Sequence, residues 1–502
     1  MGINLNNRLL IERVFTKGSF WRWWQWWWIR GEGGKGKVSA VCDGRTGIGF
    51  ACCLIGLCFF LFVNNAYSIP SFARQTGQDC IMCHTVFPEL TPFGRVFKLG
   101  GYVMSRSPKS YEFPPPLAGM AQLSFTHTKK DQPPGSIEEN WATHPRSSDN
   151  NIISSPQEPS VFYGGRIFQK IGAFVQGTFD GATKDAFLDN TDIRYANSLT
   201  FLDKNLTFGF TINNNPTVED VWNSTPAWGF PFASSSVVPT PAAVTIIDGT
   251  LAQQVGGIGA YGFWANLLYL EGAVYRTTKN GITEPLGAGT KTDTVVHNAV
   301  PYWRLAFQHQ WDNHSLSAGT YGIWAQIFPG GMNHGPTDRF TDIAFDAQYQ
   351  YIGSKHLLSA RTTWIHEKQD WKASFPLGNT ANQTDSLNIF KISSSYFYKS
   401  QMGRFGGSLG YFSTTGRKDN LLYSPNPVDG SRTGSPNSDG FILEADYILN
   451  YPLWRKYNTG MIKCSLQYTI YNKFNGAHSD YDGFVRDASD NNTLYFLIWL
   501  TF

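Results

Sequence analysis

The chain has 502 residues, 41 basic and 38 acidic, with a formal charge of +3, which is room for two or three ordinary domains. Charged residues supply only 16% while aromatics reach 15% and glycines number 50, a balance that suits many turn-separated strands better than a helical protein. The small basic surplus excludes a nucleic-acid-binding surface, and because Cys42, Cys52, Cys53 and Cys58 sit near the start, the rest of the chain holds too few cysteines for a disulfide framework.

A basic stretch ending at Arg45 leads into the apolar run Gly47 to Val63 and then Asn64-Asn65-Ala66-Tyr67-Ser68. Residues 1–68 therefore read as an export signal region, cleaved after Ser68, because about 15 to 17 apolar residues are short for a membrane span and a small-x-small site follows. Ahead of it, the run from Trp21 to Trp28 carries indoles of the kind that favour a membrane boundary. A translation start near Val38 or Val41 gives a signal of ordinary length and makes residues 1–40 a start-site misassignment. Without residues 1–68 the chain keeps 33 basic and 35 acidic side chains, and its cysteines are Cys80, Cys83 and Cys464.

Residues 69–117 mix Gly, Pro, basic and aromatic residues without period-two alternation. They are expected to form a small, mainly helical or irregular domain that needs a cofactor to complete its core. Within it, Cys80-Ile81-Met82-Cys83-His84 has the spacing of a haem c attachment site: two thiols add to the two vinyl groups and the adjacent imidazole binds iron. A zinc site needs two further nitrogen or sulfur ligands, which Cys464 and scattered histidines supply poorly, and a thioredoxin-like pair needs a βαβ context. The expected cofactor is one covalent haem c with His84 as its proximal ligand. Met120, where the domain hands over to the first strand, is the first candidate for the sixth position and Met104 the second; ordinary packing is the alternative for either. Pro88 or a neighbouring carbonyl is placed to fix the His84 tautomer, and Arg74 or Lys98 to neutralise a propionate.

From residue 118 to 502 the pattern becomes segments of about ten alternating residues between polar turns, the signature of a transmembrane barrel. Ile462, Cys464, Leu466, Tyr468 and Ile470 oppose Lys463, Ser465, Gln467 and Thr469; Ile343 and Phe345 oppose Asp342 and Asp346; Phe441 and Leu443 oppose Glu444 and Asp446. Connections alternate between short (Gln169-Lys170, Gln310 to Asn313, Gly353 to Lys355) and long (Lys129 to Ser160, Asn214 to Val255, Thr277 to Asn298, Thr415 to Ser438). Together with a last strand ending on Phe502, this predicts an all-β, outer-membrane barrel of about 16 antiparallel strands, in the lipid of a Gram-negative outer membrane. Arg304, Asp342, Asp346, Glu444, Asp446 and Lys463 are expected to face its lumen, and Cys464 the lipid.

The run Ile69 to Gly77, with Cys80 to His84, Phe87-Pro88, Phe93-Gly94, Phe97-Lys98 and Gly101-Tyr102, resembles the head of the outer-membrane cytochrome–porin fusions, the family of Fe(II)-oxidising surface cytochromes. Asn213 to Pro231 is similar to a segment in the barrels of these proteins and their wider relatives. The resemblance implies a single-haem domain in or under the barrel that takes electrons from extracellular Fe(II) and passes them to periplasmic carriers, a cytochrome c or a copper protein. Three alternatives stand beside it: a donor other than iron, a diffusion porin whose haem plug gates or senses, and a soluble cytochrome carried on a β-binding domain.

Overall fold

The structure, a computed structural model, describes residues 70–78, 80–106, 115–131, 150–449 and 460–502. All belong to the compact unit Cys58–Phe502; the expected export signal, with the Trp-rich stretch, lies outside the described residues.

Among the described residues three short helices come first: α1 (Pro70–Thr76), α2 (Cys80–Cys83) and α3 (Pro92–Leu99). The strands follow: β1 (Leu117–Thr128), β2 (Asn151–Phe168), β3 (Ile171–Phe179), β4 (Ala186–Phe201), β5 (Lys204–Asn213), β6 (Val255–Trp264), β7 (Leu268–Thr277), β8 (Val295–Val296) and β9 (Val300–Trp311). The second half holds β10 (His314–Phe328), β11 (Asp338–Ile352), β12 (His356–Asp370), β13 (Thr384–Ser400), β14 (Gly403–Gly416), β15 (Ser438–Leu449), β16 (Met461–Lys473) and β17 (Thr493–Thr501). Sequential strands pair antiparallel, and β1 pairs with both β2 and β17, so the sheet closes on itself. The two-residue β8 sits on the end of β10 while β7 pairs directly with β9, leaving a wall of sixteen long strands.

Which face each residue takes decides the environment. Ile343 and Phe345 are 46% and 54% exposed, while Asp342 and Asp346 on either side of them are 1% and 5% exposed. Phe441 and Leu443 likewise point out and Glu444 and Asp446 in. A soluble sandwich buries its apolar face; this wall buries its polar face and turns the apolar one outward, which is the arrangement of a barrel in lipid. Closure pairs the last backbone groups and removes the edge. The protein is thus an outer-membrane-type β-barrel with its six expected lumen residues all buried inside. Cys464 has the outward parity of β16, with Tyr447 and Ile498 as cross-strand partners.

At one rim six connections are two- or three-residue turns, at 169–170, 202–203, 265–267, 312–313, 353–355 and 401–402, and the seventh spans 450–460. At the other rim the connections are longer, among them 129–150, 214–254, 278–299 and 417–437. The first differs from the sequence expectation, since residues 151–160 belong to β2. Their alternation is masked by Ser155-Pro156, where the β1–β2 register slips between Gln122 and Ser124; a bulge is where a strand tolerates proline.

The connection 214–254 does not stay at the rim. Its Trp222 is fully buried in the lumen against Tyr269 and Phe263, and Nε1 donates to Gln308 at 2.9 Å. Asp220 lies 3.4 Å from Arg304, and Ser224 donates to Asp346 at 2.5 Å. Sequence spacing shows the length of this connection but not its inward course, which follows from the charges on the wall that need partners.

Placing a charge on the lipid face tests this orientation. Leu443→Arg near the middle of β15 is expected to cost about 2–4 kcal/mol, read as a lowered denaturant midpoint of the heat-modifiable folded band, whereas Leu443→Phe leaves that midpoint in place.

Candidate cofactor site

The described residues ahead of β1 pack into the lumen, and several of their bends have a local cause. Thr91 caps α3 by accepting from Gly94 N at 3.2 Å, with Pro92 in the first turn, where a missing N–H costs nothing. Gly94 is required by a close approach: a Cβ there would lie 2.3 Å from the Cys83 carbonyl oxygen. The loop between α2 and α3 folds back through Thr85 N to Glu89 O (3.1 Å) and Thr91 N to Cys83 O (2.8 Å). The start of α3 is thereby laid against α2.

Polar anchors from around the wall fix this segment. Glu89, fully buried, meets Arg361 of β12 at 2.7 Å and accepts from Gln350 of β11 at 2.7 Å. Arg95 of α3 donates to Gln308 (2.9 Å), Ser315 (2.8 Å), Gln348 and Gln350. Arg404 of β14 donates to the carbonyls of His84 (3.0 Å) and Thr85, and Tyr102 donates to Asp192 of β4 at 2.5 Å. On the apolar side, the Phe87 ring lies 5.2 Å from the His84 ring and 5.1 Å from Trp499 of β17.

Cys80, Cys83 and His84 line one cavity, with about 790 Å³ of empty space, walled by Phe72, Phe87, Phe97, Tyr102, Phe174 and Trp228. The cysteines stand one helical turn apart on α2, so their sulfurs share a face. His84 Nδ1 lies 3.1 Å from the Pro88 carbonyl; donating there leaves Nε2 with the lone pair that binds a metal. Burial holds His84 down to about 4, so the ring is neutral at ordinary pH, and pushes the Cys83 thiol up to about 11. A thiol raised in this way is the opposite of an activated redox thiol. Among the described residues no group of three His, Cys, Asp or Glu side chains is set to hold a metal ion. The donor set and its aromatic walls fit a covalent haem c better than zinc or a dithiol catalyst.

The other expected residues fall as follows. Met120 is 4% exposed on the inner face of β1, in the apolar cluster that contains Phe97, Tyr102 and Phe174 and abuts Phe87, but it is not among the residues lining the cavity. Met104 is 40% exposed and its carbonyl accepts from Gln75 at 2.9 Å. Lys98 lines the cavity, lying 4.7 Å over Trp228 and donating to the carbonyls of Val218 (2.6 Å) and Asp220 (2.9 Å); burial lowers it to about 8. Arg74 instead donates to the Leu117 carbonyl at 2.5 Å. Sequence reasoning missed Asp220, Asn223 and Trp228, all from the inward connection; their one signal was the Asn213 to Pro231 segment, quoted for its likeness and given no role.

The chain matches no family model and no curated protein sequence. Among solved structures it is similar to OmpT of Vibrio cholerae, at 11% identity over 77% of this chain and 96% of that one, with a TM-score of 0.39. It is similar to an anion-selective porin from Comamonas acidovorans at 11% identity, covering 77% and 98%, with a TM-score of 0.41. Salmonella typhi OmpF in complex with daunomycin gives 11%, 77%, 97% and 0.37. The barrel stands on its own closed sheet and apolar exterior.

Breaking one anchor tests how the site is held. Arg361→Met leaves Glu89 buried and unpaired, at a cost of about 3–5 kcal/mol, and is expected to expose residues 84–91 to limited proteolysis; adding Glu89→Gln restores most of the protection.

Proposed function

We propose that this protein is an outer-membrane electron conduit in which one covalent haem c, attached to Cys80 and Cys83, accepts electrons from extracellular Fe(II) for delivery to periplasmic carriers. The observation that carries the reading is the convergence of both thiols and His84 on one aromatic cavity inside a membrane-spanning wall. When bound, the haem supplies reversible one-electron redox chemistry. The protein's own part would be geometric: Cys80 and Cys83 would hold the ring covalently, the Pro88 carbonyl orients the His84 imidazole, and Phe72, Phe97 and Trp228 would keep water from the cavity. Met120 is the proposed sixth ligand, Met104 the second candidate. The lumen also contains the head segment and the connection 214–254, which favours a conduit over a diffusion porin.

Anaerobic Fe(II) added to the purified protein in detergent is expected to bring up the reduced haem bands. No reduction at any pH where the protein is folded removes iron as donor and leaves another donor. Cys80→Ala with Cys83→Ala is expected to abolish covalent haem while the folded barrel persists. Met120→Ala shifts the spectrum and the potential if the thioether binds iron; an unchanged spectrum transfers the role to Met104 or another group. Steady single-channel conductance in planar bilayers would reverse the order of conduit and porin.

A further inference from the structure

Several acidic side chains buried in the lumen have a cationic neighbour. Asp220 and Asp346 share Arg304, Asp248 meets Lys391, and Glu444 and Asp446 share Lys463. Asp342 of β11 and Glu367 of β12 differ. Each is 1% exposed, and they are directly opposed in the ladder, which sets their Cβ atoms about 4.5–5.5 Å apart. Among the described residues neither forms an ion pair with a lysine or arginine. Two amides of the inward connection reach them, Ile246 N donating to Glu367 at 2.6 Å and Ile247 N to Asp342 Oδ2 at 3.1 Å. Two neutral donors do not balance two buried negative charges.

Unused oxygens sit beside the pair. Asp342 Oδ1 accepts from no amide, amine or hydroxyl and is left facing the Glu367 carboxyl, and Gln369 Oε1 has no hydrogen-bond partner. Gln369, two residues along the same face of β12 and 4% exposed, donates its Nε2 to Glu367 Oε1 at 2.7 Å, which leaves the amide oxygen as its free end. Glu367 and Gln369 line a cavity with about 970 Å³ of empty space, bounded by residues of the long connections such as Thr294, Pro329 and Tyr423. Its remaining acidic residues are Asp293 and Asp338, and its lining includes no lysine or arginine.

We propose that Asp342, Glu367 and Gln369 form a binding site for one hydrated divalent cation, entered from the long-connection rim. The donors are all hard oxygens, which suit Mn(II), Fe(II) or Mg(II) rather than the soft, thiolate-preferring metals. Two opposed carboxylates call for a charge of two, and the cavity leaves space for the waters that such ions keep. The site stands whether or not the head carries haem.

Mn(II) is the probe, titrated at neutral pH into the full-length protein in detergent and followed by loss of the free-ion paramagnetic signal. One equivalent is expected to be taken up. Asp342→Asn and Glu367→Gln should each raise Kd by about tenfold or more, and Gln369→Leu by a few-fold, with heat-modifiable mobility showing that the variants fold. Failure of the protein to take up Mn(II), or equal uptake by Glu367→Gln, overturns the proposal. So does an infrared band of a protonated carboxylic acid that is abolished in Glu367→Gln and unchanged by Mn(II), since the pair would then neutralise itself with a shared proton.

Discussion

In a closed wall of sixteen strands, every second residue must point into a space that the sequence has made polar. That single constraint organises the rest of the molecule. Groups such as Arg304, Asp346, Gln348 and Gln350 are buried, and a buried polar atom without a partner is costly. The wall therefore demands a filling, and two stretches of the same chain supply it. The segment before β1 brings Glu89 and Arg95 toward the short-turn ends of β9–β12, and the connection 214–254 brings Asp220 and Ser224 to the middle of β9 and β11.

The two stretches also hold each other. Leu90 N donates to the Asn223 side chain at 2.9 Å, and Lys98 donates to two carbonyls of the connection. The cavity lined by Cys80, Cys83 and His84 is walled by both, with Asp220, Asn223 and Trp228 coming from the connection. Positioning of the thiols and the imidazole is thus delegated to residues more than a hundred positions away. Since most of these anchors involve an ion pair or a multiply bonded guanidinium in a buried setting, the head has little freedom to shift.

The barrel was legible because period-two alternation is a local property: β11, β15 and β16 announce their two faces within ten residues, and turns such as 353–355 fall where expected. The Cys80–His84 motif was legible for a similar reason, its chemistry depending on spacing within five residues. Two things were hidden. Pro156 and Pro159 break the pattern of β2, and only the partner strand shows that a bulge absorbs the irregularity. The inward path of 214–254 depends on pairings such as Asp220 with Arg304, between residues far apart in the chain, and no local period encodes those. Met120 illustrates the same limit, since its place on β1 can be read from sequence while its neighbours cannot.

Asn223 has a consequence beyond its hydrogen bonds. It adopts a left-handed backbone, with φ of 56°, and lines both the aromatic cavity and a second one, of about 1,500 Å³, between the connection and β12–β16. Ala243 and Val244 are likewise common to that second space and the acidic one at the rim. The lumen is divided into chambers in series, with parts of one connection as the bulkheads. A bare wall of this size would leave a hole in the cell envelope. The connection 214–254 therefore narrows the passage through the barrel as well as helping to build the cavity lined by Cys80, Cys83 and His84.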